Sequence, residues 1–150
     1  TATLPLVYNG TIIEDFWFEF KDGKVVDYDA KVGLDAIKSI LATDEGANYL
    51  GEVAIVSQDS EIASLNQLFY STLLDENASC HFALGSAYPT CLAGAKGKGK
   101  DELEKLVVNT SITHVDFMVG SFELDVIGVL EDGSHEYILK NGIFPKEERG

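Results

Sequence analysis

Basic residues and long apolar runs are scarce in this chain, and each shortage excludes a class of protein. Only 11 Lys and Arg residues stand against 25 Asp and Glu, which gives a formal net charge of −14. Nucleic acids and anionic membranes would be repelled by this charge, so neither is an expected partner. No apolar run approaches the roughly 20 residues of a membrane-spanning helix, and the N-terminus does not have the pattern of a secretory signal peptide.

Cysteine is also scarce. Cys80 and Cys91 are too few for a disulfide framework, and their spacing is not that of a CxxC metal or redox pair. A reducing, cytoplasmic location is the simpler interpretation. There is no Gly-x-Ser-x-Gly nucleophile motif, and the stretch that ends at Gly99-Lys100 lacks the spacing of a phosphate-binding loop.

What the chain does have is enough apolar material for one core. It has 150 residues, 45% of them hydrophobic, and we interpret it as a single domain over residues 1–150. It begins at Thr1, in a segment that already has the pattern of a strand and a turn, rather than at an initiator Met. We therefore expect a piece of a longer protein.

Local patterns in the first third predict a hairpin followed by a helix. β-Branched and aromatic residues fill 11–20, and the Asp22-Gly23 turn leads directly into 24–28, as in a β-hairpin. Apolar residues at helical spacing then predict a short amphipathic helix within 33–43.

The middle of the chain is less regular. The apolar runs 49–56 and 65–74 are each short enough for a buried strand, but periodicity alone does not decide between strand and helix. Residues 92–100 are rich in glycine and lysine and predict a mobile surface loop that buries no apolar area. A helical turn is expected at 101–106.

Alternation of apolar and polar residues returns in the last third. Segments 114–119, 123–130 and 135–139 predict three strands of an antiparallel meander, the last two joined at Asp132-Gly133. The predicted fold class is therefore α+β, with mainly antiparallel sheet and a few short helices.

Glu52 is the one charged residue in the apolar segment 50–56. Burying an isolated carboxylate is costly unless it is paired or binds a metal. The alternative is that Glu52 lies on the solvated face of an edge strand, and this segment alone does not decide between the two interpretations.

Two acids and a histidine surround the start of the next apolar run. Asp75 and Glu76 come shortly before His81, which is a plausible half-site for a divalent ion. The alternative is a solvated turn followed by a core histidine with its own hydrogen bonds.

His114 and Asp116 stand at positions i and i+2 of a predicted strand, so their side chains point to the same face. Together they can reach one metal ion. The alternative is a structural hydrogen bond in which Asp116 orients His114. The remaining histidine, His135, follows a hairpin turn and is expected on the surface.

Several segments, taken in order, resemble the aminopeptidase T, AmpS and PepS family. They are LGEVA at 50–54, LFYSTLLDENASCH at 68–81, ALGSAYP at 83–89, NTS at 109–111, HVDFMVGS at 114–121 and the late Asn141-Gly142. The resemblance covers essentially the whole chain and corresponds to the C-terminal region of that family.

The resemblance implies a metal-dependent aminopeptidase that hydrolyses the N-terminal bond of peptides with two divalent ions, zinc, cobalt or similar. Bound metal lowers the pKa of water towards about 7 and polarises the scissile carbonyl. Glu76 is implied as a ligand or as the acid/base carboxylate, and Tyr88 as a ligand or oxyanion stabiliser. The full set of implied metal ligands is Glu52, Glu76, His81, Tyr88, His114 and Asp116.

The family also implies parts that precede this segment. These are a further glutamate ligand in a Thr-Glu-Glu motif and a large N-terminal domain that helps to form a homodimer and the substrate channel. We therefore expect residues 1–150 to be a C-terminal catalytic domain that binds metal weakly and has little or no peptidase activity alone. Two alternatives remain: a non-catalytic binding or assembly module with a surface acidic cluster, and a metal hydrolase that acts on a different amide.

Overall fold

Antiparallel strands form the framework of the molecule. The computed structural model describes residues 1–146, and for Lys100 it describes the backbone alone. Residues 147–150 of the predicted domain lie outside the described residues. The strands are β1 (Leu6–Tyr8), β2 (Thr11–Lys21), β3 (Lys24–Val32), β4 (Leu50–Ala54), β5 (His81–Gly85), β6 (His114–Met118), β7 (Val126–Val129) and β8 (His135–Leu139).

Helices are short and lie between the strands. They are α1 (Leu34–Leu41), α2 (Glu61–Ser64), α3 (Thr72–Asp75) and α4 (Lys100–Lys105), with 3-10 turns at Gly46–Asn48, Glu76–Ala78 and Pro89–Cys91. The predicted α+β class is confirmed. Within residues 1–146, no helix has the length and apolar character needed to cross a membrane.

The predicted first hairpin is present as β2 and β3, with β1 on its other side. Asp22 and Gly23 both have positive φ, 51° and 77°, which is the backbone of a two-residue hairpin turn that matches the twist of the strands. The predicted helix follows as α1, and Ile37, Ile40 and Leu41 are its buried side chains. Local patterns were sufficient because the turn residues and the helical spacing each lie within one short segment.

The main core lies between this hairpin, α1 and one face of the sheet β4–β5–β6. Phe117 on β6 is at its centre, with its ring centroid 5.0 Å from that of Phe18 and 6.0 Å from that of Phe82. Full burial of a large apolar side chain contributes about 1.5–3 kcal/mol, so this face carries much of the stability of the sheet. The buried members are Leu6, Ile13, Phe16, Val25, Ile37, Ile40, Leu41, Leu84, Val115 and Phe117.

The opposite face of the same sheet carries the polar residues. β4 pairs with β5 and β5 with β6, all antiparallel, and the register places Glu52, Ala83 and Asp116 side by side in one row. Directly paired residues project to the same face, and residues two apart on a strand share that face. His81 and His114 therefore lie on it as well.

Two expectations for the fold need correction, and one question that periodicity left open is answered. Strands β7 and β8 form the predicted hairpin, but they are a separate sheet, and β6 pairs with β5 instead of continuing into a meander. Residues 65–74 contain no strand, and Leu73 on α3 is 75% exposed. The 92–100 segment does bury apolar area, because Ala95 packs with Leu103 and Val108 in a small second cluster.

Gly85, at the end of β5, is required by both its conformation and its surroundings. Its φ is +98°, and a Cβ atom there would lie 2.2 Å from the carbonyl oxygen of Thr113. Since Thr113 directly precedes His114, this close approach of two backbones sets the position of β6 beside β5.

Replacing Gly85 by Ala is therefore expected to lower the free energy of unfolding by about 2 kcal/mol or more, through left-handed strain together with the clash. Gly94→Ala is the matched control, because Gly94 also has positive φ, +79°, with nothing near its Cβ position. It should lose about 1 kcal/mol, for the strain alone. Urea unfolding measures both, and equal losses would refute the role of the close approach.

Candidate metal centre

Both histidines of the polar face are oriented by backbone carbonyl groups. His81 Nδ1 lies 3.1 Å from the carbonyl oxygen of Ser79, and His114 Nδ1 lies 2.6 Å from that of Ser86. A carbonyl oxygen only accepts hydrogen bonds, so each Nδ1 carries the proton. In the neutral ring the other nitrogen, Nε2, keeps its lone pair, and in both histidines Nε2 faces a carboxylate of the site, as in histidines that bind metals.

Carboxylate oxygens face these lone pairs. The two oxygens of Glu52 each lie 3.4 Å from an imidazole nitrogen, Oε1 from His81 Nε2 and Oε2 from His114 Nε2. Asp116 Oδ1 lies 3.1 Å from His114 Nε2. When the imidazoles are neutral, all of these atoms carry lone pairs that repel one another. A proton or a cation between them removes this repulsion.

Asp116 gives the most direct indication of a cation. Its side chain is buried, with the residue 6% exposed. Among the described residues, Oδ1 is a buried side-chain oxygen without a hydrogen-bond partner. Buried polar atoms are nearly always paired, so an orphaned carboxylate oxygen beside an imidazole lone pair fits a metal ligand.

Glu76, in the 3-10 turn after α3, completes the carboxylate set. It lies near Asp116 and His81, and its pKa is raised above the ordinary 4.5, first by partial burial and then by the negative charge of Asp116. Two carboxyl groups side by side resist simultaneous ionisation unless a positive charge comes between them. Glu76 is thus suited both to bind a cation and to hold a proton.

These residues form two overlapping groups of ligand atoms, each with all atoms within 4.8 Å of one another. One is Glu52, His114 and Asp116, and the other is Glu76, His81 and Asp116. Carboxylate oxygens with imidazole nitrogens are the ligands of a borderline divalent cation. The residues present therefore fit a metal, and Asp116 belongs to both groups.

Five of the six sequence-predicted ligands are brought together in this way. The sixth, Tyr88, follows β5 and is 56% exposed. Its ring lies 5.0 Å from the ring of His114, and it lines a small opening together with Leu73, Glu76 and Asp116. Tyr88 is thus beside the site without belonging to either ligand group. As expected, His135 lies apart from it on the surface.

Sequence reasoning missed Ala83. It is completely buried, and the register places it between Glu52 and Asp116 on the polar face. Its methyl group is the smallest side chain after glycine, whereas a longer side chain would project between the two carboxylates. An alanine inside an apolar run gives no signal of this role, which depends on the pairing of three strands.

The chain also matches a known family over nearly its whole length. The model of the family described as thermophilic metalloprotease (M29) matches residues 1–144. The chain belongs to this family. Membership in a metalloprotease family implies the use of a divalent metal, in agreement with the ligand groups on the sheet.

Several aminopeptidases are similar to this chain over nearly its whole length. Aminopeptidase AmpS from Bacillus subtilis is 50% identical over 142 residues, which are 95% of this chain and 35% of the relative. Aminopeptidase 2 from Geobacillus stearothermophilus is 49% identical over 140 residues, 93% of this chain and 34% of the relative. The chain thus spans about a third of the length of these relatives.

A solved structure has the same fold. The wild-type AmpT from Thermus thermophilus superimposes with a TM-score of 0.83 at 38% sequence identity, over 95% of this chain and 35% of that one.

Replacing Glu76 by Gln keeps the size of the side chain and removes one negative charge next to Asp116. Without metal at neutral pH, we expect a gain of about 1 kcal/mol, allowing for solvent screening, or a melting temperature about 2–4 °C higher. The folded wild type holds the Glu76 proton more tightly than the unfolded chain, so its stability falls as pH rises from 4.5 through the raised pKa.

The gain in stability from Glu76→Gln should therefore be absent at low pH and constant above the raised pKa. Thermal unfolding in the presence of a chelator, followed by circular dichroism between about pH 4 and pH 8, measures it. A variant less stable than the wild type at neutral pH would show that Glu76 and Asp116 do not repel each other.

Proposed function

We propose that this chain is the C-terminal catalytic domain of a two-domain, metal-dependent aminopeptidase. It hydrolyses the N-terminal bond of peptides and uses two divalent ions, zinc, cobalt or similar. The observation that carries the proposal is the buried Asp116 carboxylate shared by two ligand groups, with one oxygen lacking any hydrogen bond in the described structure. The names of the relatives, all aminopeptidases, support the choice of reaction.

Two ions rather than one are supported by the way the ligands divide. Each group has its own histidine and its own glutamate, and Asp116 is common to both. With two ions bound, the Asp116 carboxylate would be a ligand common to both. Bound metal supplies an activated water and polarises the scissile carbonyl.

The protein side chains have distinct roles in this proposal. Glu76 lies beside His81 and Asp116, where its carboxylate would serve either as a metal ligand or as the group that takes the proton from the attacking water and returns it to the leaving amine. Tyr88 is exposed at the mouth of the opening beside His114, where its hydroxyl is available to the substrate oxyanion or as a ligand. The carbonyl groups of Ser79 and Ser86 keep both imidazoles in the tautomer that leaves Nε2 free.

Charge favours a substrate with a free amino group. The chain carries a formal net charge of −14, and the α-amino group of a peptide is positive below a pH of about 8. Long-range attraction therefore concentrates peptide N-termini near the acidic site. We further propose that the intact protein is a cytoplasmic homodimer, as the family resemblance implies.

A non-catalytic module with acids on its surface receives no specific support. The Glu52 side chain is only 26% exposed and faces two histidines, where a surface acid would face water. A metal hydrolase for a different amide would use the same site and differ in the substrate pocket.

Metal binding tests the site assignment. Calorimetric titration of the chelator-treated chain with zinc and cobalt should show saturable binding, and Glu52→Gln should weaken it at least tenfold because a ligand oxygen is lost. His135→Ala, which removes the exposed histidine, should leave it unchanged. Equal affinity in the wild type and Glu52→Gln would rule out the assignment.

Activity is tested in a longer protein. The chain is fused in place of the matching C-terminal third of AmpS from B. subtilis, and cleavage of an aminoacyl anilide is measured. We expect metal-dependent hydrolysis that disappears when the substrate amine is acetylated, and a loss of about 10³-fold or more in kcat for Glu76→Gln. The chain alone should be weakly active at most. A fusion that binds metal without cleaving would reject the aminopeptidase reaction while retaining the metal site.

A further inference from the structure

Asp75 is a buried acid that belongs to neither ligand group. It is 4% exposed, and within the described part of the chain it forms no ion pair with a basic side chain. Its two oxygens instead accept backbone hydrogen bonds, Oδ1 from the N–H of Phe69 at 2.8 Å and Oδ2 from the N–H of Ser71 at 3.0 Å. Burying a carboxyl group is costly unless it is hydrogen-bonded, and these two backbone hydrogen bonds compensate for that cost.

The residue between those two N–H groups is strained. Tyr70 has a φ of 55°, a left-handed conformation that is unfavourable for a bulky side chain. Strain of this kind costs about 1–3 kcal/mol and persists only where the surroundings enforce it. The turn is also bonded to the start of α3, because the N–H groups of Leu74 and Asp75 both donate to the carbonyl of Ser71, each at 2.9 Å. The 69–71 turn and α3 thus hold each other through Asp75.

Glu76 follows directly on this locked turn, and the chain is fixed again immediately beyond it. The Asn77 carbonyl accepts a hydrogen bond from Ser60 Oγ at 2.9 Å, and Asn77 Nδ2 donates to the Leu73 carbonyl at 3.1 Å. The backbone of Glu76 is therefore held on both sides. Without such support, the repulsion from Asp116 would favour rotation of the Glu76 side chain towards solvent.

We propose that Asp75 is a positioning residue, whose carboxylate locks the 69–71 turn so that α3 holds the Glu76 carboxylate beside His81 and Asp116. The inference rests on the proposed function, in which Glu76 belongs to one of the two ligand groups. Asp75 itself belongs to neither ligand group. It defines the position of one half of the site through the backbone.

The test is a double-mutant cycle on cobalt affinity, measured by calorimetry of the 150-residue chain. Asp75→Asn keeps the shape of the side chain but puts an NH₂ group against a backbone N–H, which loosens the turn. We expect cobalt affinity to fall about tenfold in the wild-type background and not at all in the Glu76→Gln background. The visible absorption of bound cobalt should change towards that of Glu76→Gln.

Asp132→Asn is the matched control. Asp132 also accepts a backbone N–H bond, from Ser134 at 2.8 Å, but in the β7–β8 turn. It should leave cobalt affinity and absorption unchanged. If Asp75→Asn does not fold, the cycle is run in the Tyr70→Gly background, where glycine adopts the positive φ without strain. The same tenfold loss relative to Tyr70→Gly is then expected.

The outcomes separate this inference from the proposed function. If Asp75→Asn weakens binding equally with and without Glu76, Asp75 is a general structural residue and the inference is overturned. If Glu76→Gln weakens binding but Asp75→Asn does not, the metal site stands and the positioning role fails. If titration shows no saturable cobalt binding by the wild-type chain, the metal site in this chain is refuted, and the positioning role is refuted with it.

Discussion

Repulsion between electron pairs on one face of the β4–β5–β6 sheet is the constraint on which the rest of the structure depends. Glu52, His81, His114 and Asp116 converge there, the Nδ1–H group of each histidine is bound to a backbone carbonyl, and Glu76 adds a further carboxyl group. Left to itself such a cluster would separate. The fold holds it together because the opposite face of the sheet is packed into the aromatic core around Phe117.

The sheet thus separates stability from chemistry. Side-chain alternation sends Val115 and Phe117 into the core and His114 and Asp116 into the site, from the same five-residue strand. The apolar side contributes stabilisation that does not depend on a ligand. The polar side costs stability until a cation arrives, which is the usual relation between active sites and the folds that carry them.

Prediction from sequence succeeded where one segment determines the answer. The Asp22-Gly23 turn and the helical spacing in α1 are local signals, and both elements were confirmed. Glu52 and the His114–Asp116 pair were recognisable because charged residues in apolar segments are anomalous. Glu76 was part of the half-site noted from its residues, and the family resemblance chose it over Asp75 and added Tyr88; of these, only Glu76 enters a ligand group.

What failed depends on pairing between distant segments. The row that joins Glu52, Ala83 and Asp116 is set by strand register, with a shift near Gly51 that no local pattern announces. For the same reason the meander was wrong, because alternation identifies a strand but not its neighbour. The apolar residues of 65–74 were compatible with a buried strand, but several of them are exposed. Their spacing is not regular enough to separate core positions from surface positions.

The two imidazoles take their direction from main-chain oxygens rather than from side chains. Ser79 and Ser86 contribute only carbonyl groups to His81 and His114, and any amino acid has a carbonyl group. The tautomer is therefore encoded in the path of the backbone and not in the identity of either serine. Replacing either serine by another amino acid would therefore leave these hydrogen bonds, and the orientation of both imidazoles, unchanged. This part of the site tolerates sequence divergence between distant relatives.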